Sequence, residues 1–194
     1  EFTASDLIVP NEFDGLRLVP FFRIHDARYM MYWGTATPAR YEEVVAAQKA
    51  AEQERLALDA RTLDQITPGE QQPEVEHRFA GVDTTTGVHV GRTWRDASGW
   101  FGYDLRVDSP QALQLIATYD GGQRGRRFAI EVGGEVIAEV ETPGGRYEQF
   151  VDVAYDLPAD LVARATKEGR MPVRFVAREG SRTASIYGLR LVRP

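Results

Sequence analysis

The sequence predicts a mainly β protein: a C-terminal jelly-roll β-sandwich, preceded by a long helix and by strands left over from another sheet. Three observations predict it. Residues 77–194 hold seven to nine short runs of alternating apolar and polar residues, separated by turn signals. Residues 39–65 contain neither Gly nor Pro and are rich in Ala, Glu, Gln, Leu and Arg, all strong helix formers. Residues 19–33, VPFFRIHDARYMMYW, are dense in aromatics and read as strands. The division that follows is residues 1–35 as strands from the end of a preceding β-sandwich, 36–76 as helix and linker, and 77–194 as the sandwich.

In chain order, Leu16 opens one strand candidate, residues 16–24, and Ala27 opens a second, residues 27–33. His25 and Asp26 between them suit a tight turn, because an Asp side chain bonds its own backbone. A ribbon of two strands is marginal in water, so these residues are expected to finish an incomplete sheet, or to borrow a partner by dimerising. Thr37-Pro38 reads as a helix start, Thr as N-cap and Pro at the first helical position. The helix is expected to run to about Gln65, where Thr67-Pro68-Gly69 stops it. Its apolar stripe is thin (Tyr41, Val44, Val45, Ala51, Leu58), which suits a helix strapped across another surface. GEQQPEVE, residues 69–76, reads as a linker.

In the last segment Phe101, Tyr103, Leu105 and Val107 share one face of a strand, and Trp100, Asp104 and Arg106 the other. Leu113, Leu115, Ala117 and Tyr119 repeat the pattern. Phe128, Ile130 and Val132 run into Gly133-Gly134, a hairpin turn. Val136, Ala138 and Val140 lead out of it, and Val151 and Val153 are expected to face inward on the next strand. Residues 158–167 read as a short helix. Val173 to Ala177 and Ile186 to Val192 make the last two strands.

Composition bounds the function. The chain of 194 residues has a net charge of −6 and no cysteine. Residues 1–74 carry 7 Lys/Arg against 13 Asp/Glu, and residues 75–194 carry 16 of each. Neither part offers the basic surface that nucleic acid needs. Arg124, Arg126 and Arg127 cluster among glycines and read as a solvated hairpin tip. No apolar run approaches a membrane span of about 20 residues, and the opening EFTASDLIVP has neither a basic n-region nor a long apolar h-region. Without cysteine there are no disulfides, thiolate zinc sites or cysteine nucleophiles within this chain.

No nucleophile elbow, P-loop or dinucleotide fingerprint is present. The three histidines, at 25, 77 and 89, have no ligand spacing for a transition metal. No cofactor is expected, although calcium on a sandwich loop near Asp83 or Asp120 would leave little sequence trace. Asp96 and Asp104 could be offered as a hydrolytic pair; the plainer reading is a turn cap and a solvent-face residue. The candidate ligand surface is Trp94, Arg95, Asp96 and Trp100. Sugars are held by flat aromatic faces together with planar polar groups, and Trp94-Arg95-Asp96 supplies both. The competing reading is that both tryptophans are packing residues.

Several runs carry a resemblance. FFRIHDARYMMYW (21–33), ALDARTLDQITPGEQQPE (57–74), HRFAG (77–81), TWRDASGWFGYDLRV (93–107) and SIYGLRLVRP (185–194) resemble the C-terminal region of bacterial β-L-arabinofuranosidase-type glycoside hydrolases. In that family an (α/α)6 barrel carries catalysis and β-sandwich modules follow it. The resemblance implies a galactose-binding-like accessory sandwich that braces the barrel, binds a plant-type oligosaccharide, or both. The alternative is a purely structural or interaction sandwich with no ligand. Family members use a cysteine nucleophile beside a zinc site of cysteines and a glutamate; this chain has no cysteine, so no position matches and the fragment is expected not to be an enzyme. The expected partners are the upstream barrel and a carbohydrate, with neither nucleic acid nor membrane. A secreted or cell-surface setting is preferred to a cytoplasmic one, as suits enzymes of plant polymers.

Overall fold

The computed structural model of the chain describes residues 2–4, 16–18, 37–145 and 150–194. The chain divides into two compact units, Glu1–Lys49 and Ala50–Pro194, and a helix spans the boundary. In the first unit β1 (Phe2–Ala4) pairs antiparallel with β2 (Leu16–Leu18). The remaining strand residues expected from sequence, with His25 and Asp26 between them, lie outside the described residues, and so does the expected unpaired edge.

Helix α1 (Pro38–Arg61) starts as its sequence requires. The Arg40 N–H donates to Thr37 Oγ1 at 3.3 Å and the Tyr41 N–H to the Thr37 carbonyl at 2.9 Å. Its flanks carry ion pairs at helical spacing, Arg40 with Glu43 and Arg55 with Glu52 and Asp59. None of its residues is buried.

The helix ends at Arg61, not near Gln65, because residues 62–66 are β3 (Thr62–Ile66). This corrects the expected boundary: the sandwich takes its first strand from the stretch read as helix. The propensity of Leu63 and Gln65 for helix is overridden by the sheet. Leu189 pairs with Ile66 and Leu191 with Asp64, so an otherwise open edge of the last strand is covered, and Asp64 and Ile66 point inward. The expected linker also contains structure, α2 (Gln71–Glu76), with Glu74 buried.

The other elements are β4 (Ala80–His89), β5 (Arg92–Arg106), β6 (Leu113–Asp120), β7 (Arg124–Val132), β8 (Glu135–Pro143), β9 (Phe150–Leu157), α3 (Ala159–Ala165), β10 (Arg170–Ala177) and β11 (Ile186–Val192). The strand order is β8-β7-β10-β5-β11-β6-β9, antiparallel throughout, with β3 added on β11 and β4 on β5. The long strand β5 joins the two layers. Val82 pairs with Trp100 and Thr84 with Ala97, so Asp83 (φ 52°) faces a two-residue bulge. Before the bulge Arg95 meets Ile186 of β11; beyond it Trp100 to Arg106 pair with β10. The protein is a mainly β jelly-roll sandwich.

Alternation fills its core as read. Phe101, Tyr103 and Leu105 from β5 meet Leu115 and Ala117 from β6, Phe128 and Ile130 from β7, and Val173 and Phe175 from β10. Phe101 stacks on Phe175 with centroids 5.0 Å apart. Each fully buried Phe or Leu contributes roughly 1.5–3 kcal/mol. Gly133 and Gly134, at φ 62° and 88°, form the β7–β8 hairpin turn, which a side chain would strain. On β9 the inward expectation is only partly met. Val153 sits opposite Ala117, hence on the core side, but at the sheet edge it is 36% exposed.

Candidate functional site

The site begins with a change of partner along β11. At Ile186 the strand pairs with Arg95 of β5; from Leu189 onward it pairs with β3. On its other side the register with β6 slips between Ile186 and Gly188, so Tyr187 sits on a bulge. Bulges re-aim a side chain and end pairing locally. Here the strands open into a groove of about 400 Å³. Tyr187, Gly188 and Thr118 line it on β11 and β6, Arg92 and Thr93 at the start of β5, and Thr67 and Glu70 after β3. Gly188 fits closely there: a Cβ would lie 3.0 Å from Thr118 Oγ1, which would have to give by a few tenths of an ångström.

Tyr187 is 4% exposed and stands in an aromatic and cationic cluster. Phe150 meets it edge-on at 4.7 Å, His89 lies at 6.4 Å, and the Arg92 guanidinium covers Phe150 at 4.6 Å. Burial first, then the charges of Asp120 and Asp96, pushes the Tyr187 hydroxyl up to about 12. Like any tyrosine it is an O–H at neutral pH, and the shift extends that state further into the alkaline range. Thr118 donates to Asp152 at 2.6 Å, and Arg190, also lining the groove, donates to Asp59 at 2.6 Å.

The segment carrying Thr67 and Glu70 is held by two buried ion pairs. Glu74 accepts from Arg95 Nε at 2.6 Å and Nη2 at 2.7 Å, from the Tyr103 hydroxyl at 2.9 Å and from the Gly69 N–H at 2.9 Å. Burial pushes the Glu74 carboxyl up, but these donors outweigh it and hold the group below its ordinary range. Gly69 (φ 87°) lets the loop lie against the β4–β5 hairpin; a Cβ would meet Thr86 Oγ1 at 2.6 Å and the Trp94 carbonyl at 2.9 Å. The second pair closes the neck of the loop. His77 faces the Asp64 carboxylate at 3.0 and 3.1 Å through Nε2 and the Pro73 carbonyl at 2.7 Å through Nδ1. Both ring nitrogens face acceptors, so the imidazolium satisfies them best. Asp64 raises the His77 pKa, burial opposes it, and the net direction is up.

The residues expected from sequence to form a ligand surface are divided. Strand alternation turns Trp94 and Asp96 to one side of β5 and Arg95 to the other. The Arg95 guanidinium is held by Glu74, by Thr84 at 3.1 Å and by the Phe79 ring at 4.2 Å, on the side of β5 away from Trp94 and Asp96. Trp94 is half-buried over Gly87, where a Cβ would strike its ring at 2.7 Å. Asp96 is buried and pairs with Arg182 at 2.7 Å, which also donates to Thr85 at 2.9 Å. Trp100 lies beyond the bulge, half-buried under Arg174 at 4.6 Å. Asp104 faces Arg78 at 3.5 Å, so it and Asp96 do not converge as an acid pair. Tyr187, Thr93, Arg92 and Glu70 were missed by sequence reasoning. The available signal was Gly188, since an isolated glycine within a strand marks a bulge or a close approach.

Among the described residues that line the groove, Glu70 is the one carboxylate. Among the described residues no group of three or more His, Asp or Glu is placed to hold a metal, at Asp83, Asp120 or elsewhere.

A family model matches residues 57–192. The chain belongs to DUF6805, a family of unknown function. The DUF6805 match takes in β3, in agreement with the sheet. A second model, described as a domain of unknown function (DUF4986), matches residues 1–35. No curated protein matches the chain. Among solved structures, a family 35 carbohydrate-binding module from an environmental isolate is similar at a TM-score of 0.52 and 18% identity, over 66% of this chain and 92% of that one. The family 35 module of Abf62 from Cellvibrio japonicus gives 0.48 and 18%, over 66% and 91%. An exo-β-1,3-galactanase from Phanerochaete chrysosporium gives 0.47 and 13%, over 66% of this chain and 28% of that one. The first of these places the DUF6805 sandwich in the jelly-roll fold of such modules.

Proposed function

We propose that the chain is a non-catalytic accessory region of a glycoside hydrolase and that its sandwich binds carbohydrate in the groove at the β11 bulge. The observation that carries this reading is the groove itself. Among the described residues its lining brings hydroxyls, guanidiniums, an amide and one carboxylate around Tyr187, beside the apolar Ile66 and Leu189, a donor and acceptor mixture that suits a polyhydroxylated ligand. The jelly-roll likeness to a carbohydrate-binding module supports it at the level of fold. The motif runs quoted above support the finer reading, a β-L-arabinofuranosidase-type parent whose barrel would be the partner. In that reading residues 1–35 finish a neighbouring β-domain, whose sheet could also pair two copies.

Calorimetric titration of the chain with arabinose- and galactose-containing oligosaccharides tests this. Saturable binding weakened by Tyr187→Phe and Arg92→Ala, with the fold intact, is the expected result. A second reading is a bracing domain without a sugar ligand, favoured by α1, which exposes Tyr41, Val44 and Leu56. Absence of heat across the whole panel would move the conclusion there.

A further inference from the structure

We propose that Thr93 is the residue by which the groove selects its ligand, reading one hydroxyl of the bound sugar. This rests on the carbohydrate-binding reading above and adds to it the atom that discriminates.

Thr93 lines the groove at the start of β5, yet its Oγ1 is buried and has no hydrogen-bond partner. Only one other side chain among the described residues shares that condition, Thr166 at the end of α3, which does not line the groove. Three threonines of the neighbouring strands are engaged. Thr86 donates to the Trp94 carbonyl at 2.7 Å, Thr84 accepts from Arg95 at 3.1 Å, and Thr118 donates to Asp152 at 2.6 Å. A buried orphan hydroxyl weighs on the folded state and calls for an explanation.

Its surroundings offer one. The backbone at Gly69 roofs the residue, since a Cβ there would lie 3.3 Å from Thr93 Cβ. The β4–β5 hairpin and the Thr67–Glu70 side are thereby held together around this side chain. A threonine side chain exchanges its methyl and hydroxyl by one staggered step of χ1, with no change in backbone. A ligand seated against Tyr187 and Gly188 can draw the hydroxyl out of its unpaired position and satisfy it. A hydroxyl both donates and accepts, and a sugar hydroxyl does the same, so the match holds in either direction. A deoxy analogue would leave the orphan as it was, and sites built to bond a substrate hydroxyl reject analogues lacking it far more strongly than apolar pockets reject a change of size.

The test is Thr93→Val, with Thr93→Ser as the variant that keeps the hydroxyl. Both are made in the whole chain and followed by urea unfolding and by calorimetric titration with the oligosaccharides and their monodeoxy derivatives. The two readouts of the valine variant should move in opposite directions. Unfolding should shift to higher urea, because an unpaired buried hydroxyl is gone, while sugar binding should weaken about fivefold to tenfold. Thr93→Ser should bind like the natural chain. One deoxy derivative should bind the natural chain weaker by the same factor and Thr93→Val no weaker still. A less stable valine variant would show that the hydroxyl has a structural partner and would overturn the proposal. So would equal sugar binding by valine variant and natural chain, which would leave the carbohydrate reading standing. If the natural chain binds no member of the panel, both readings fall together.

Discussion

Breaking the Glu74–Arg95 pair should be the most damaging single change outside the hydrophobic core. Glu74 is 6% exposed and takes four donors, two of them from a guanidinium that is itself 9% exposed. Arg95→Met leaves a buried carboxylate whose remaining donors are the Gly69 amide and the Tyr103 hydroxyl. Glu74→Leu leaves a buried guanidinium and strands both of those donors. Removing one member of a buried pair costs about 3–5 kcal/mol, a large share of the roughly 5–15 kcal/mol by which domains are stable. Glu74→Leu should reach the upper end, because each neutral donor left unmet adds about 1 kcal/mol or more. The double variant should cost clearly less than the two single losses added, since no uncompensated charge remains. Urea unfolding of the four proteins, followed by far-ultraviolet dichroism at constant m-value, measures the cycle. Single losses below about 1 kcal/mol, or additive losses in the double variant, would refute the claim that this pair pins the groove's far side to β5.

Other outcomes are expected from the same geometry. His77 has a raised pKa when folded, so its pairing with Asp64 stabilises fully below its unfolded value of about 6.5 and is lost as pH rises through the folded value. His77→Gln should flatten the alkaline limb of a stability–pH curve, and an unchanged limb would count against an imidazolium. Asp64 and Glu74 have lowered pKa values, so their contribution is present above about pH 4 and fades as pH falls through the folded values. Gly69→Ala should cost roughly 1–3 kcal/mol through its left-handed backbone and its contact with the Trp94 carbonyl, and should weaken sugar binding too; a neutral result in thermal unfolding would contradict the close approach. Tyr187→Phe should weaken binding while shifting stability by less than about 1 kcal/mol, since the ring stays packed on Phe150.

The sandwich was legible because alternation is a local signal. Phe101, Tyr103 and Leu105, or Phe128, Ile130 and Val132, announce their faces within five residues, and Gly133-Gly134 announces its turn. What escaped was decided elsewhere in the chain. Thr62–Ile66 adjoins an uninterrupted helical run, and its strand state comes from the open edge of β11, more than a hundred residues later. Glu74 sits in a stretch that reads as polar linker. Its burial follows from Arg95 and Tyr103, two residues of β5 whose side chains reach the same side of the sheet and need an acceptor.

The site divides along the same line. Trp94, Arg95 and Asp96 looked like one surface because they are neighbours in sequence, and a strand cannot present neighbours on one face. Period two alone separates Arg95 from the other two, and the buried Glu74 then decides what the arginine does. The groove has the opposite history. Tyr187, Thr93, Thr118 and Glu70 come from separate elements and share no motif; they meet because β11 leaves one partner for another and bulges in between. Residues that cooperate across such a gap are invisible to spacing. The trace left in the chain is a lone glycine inside a strand, and Gly188 follows Tyr187 directly.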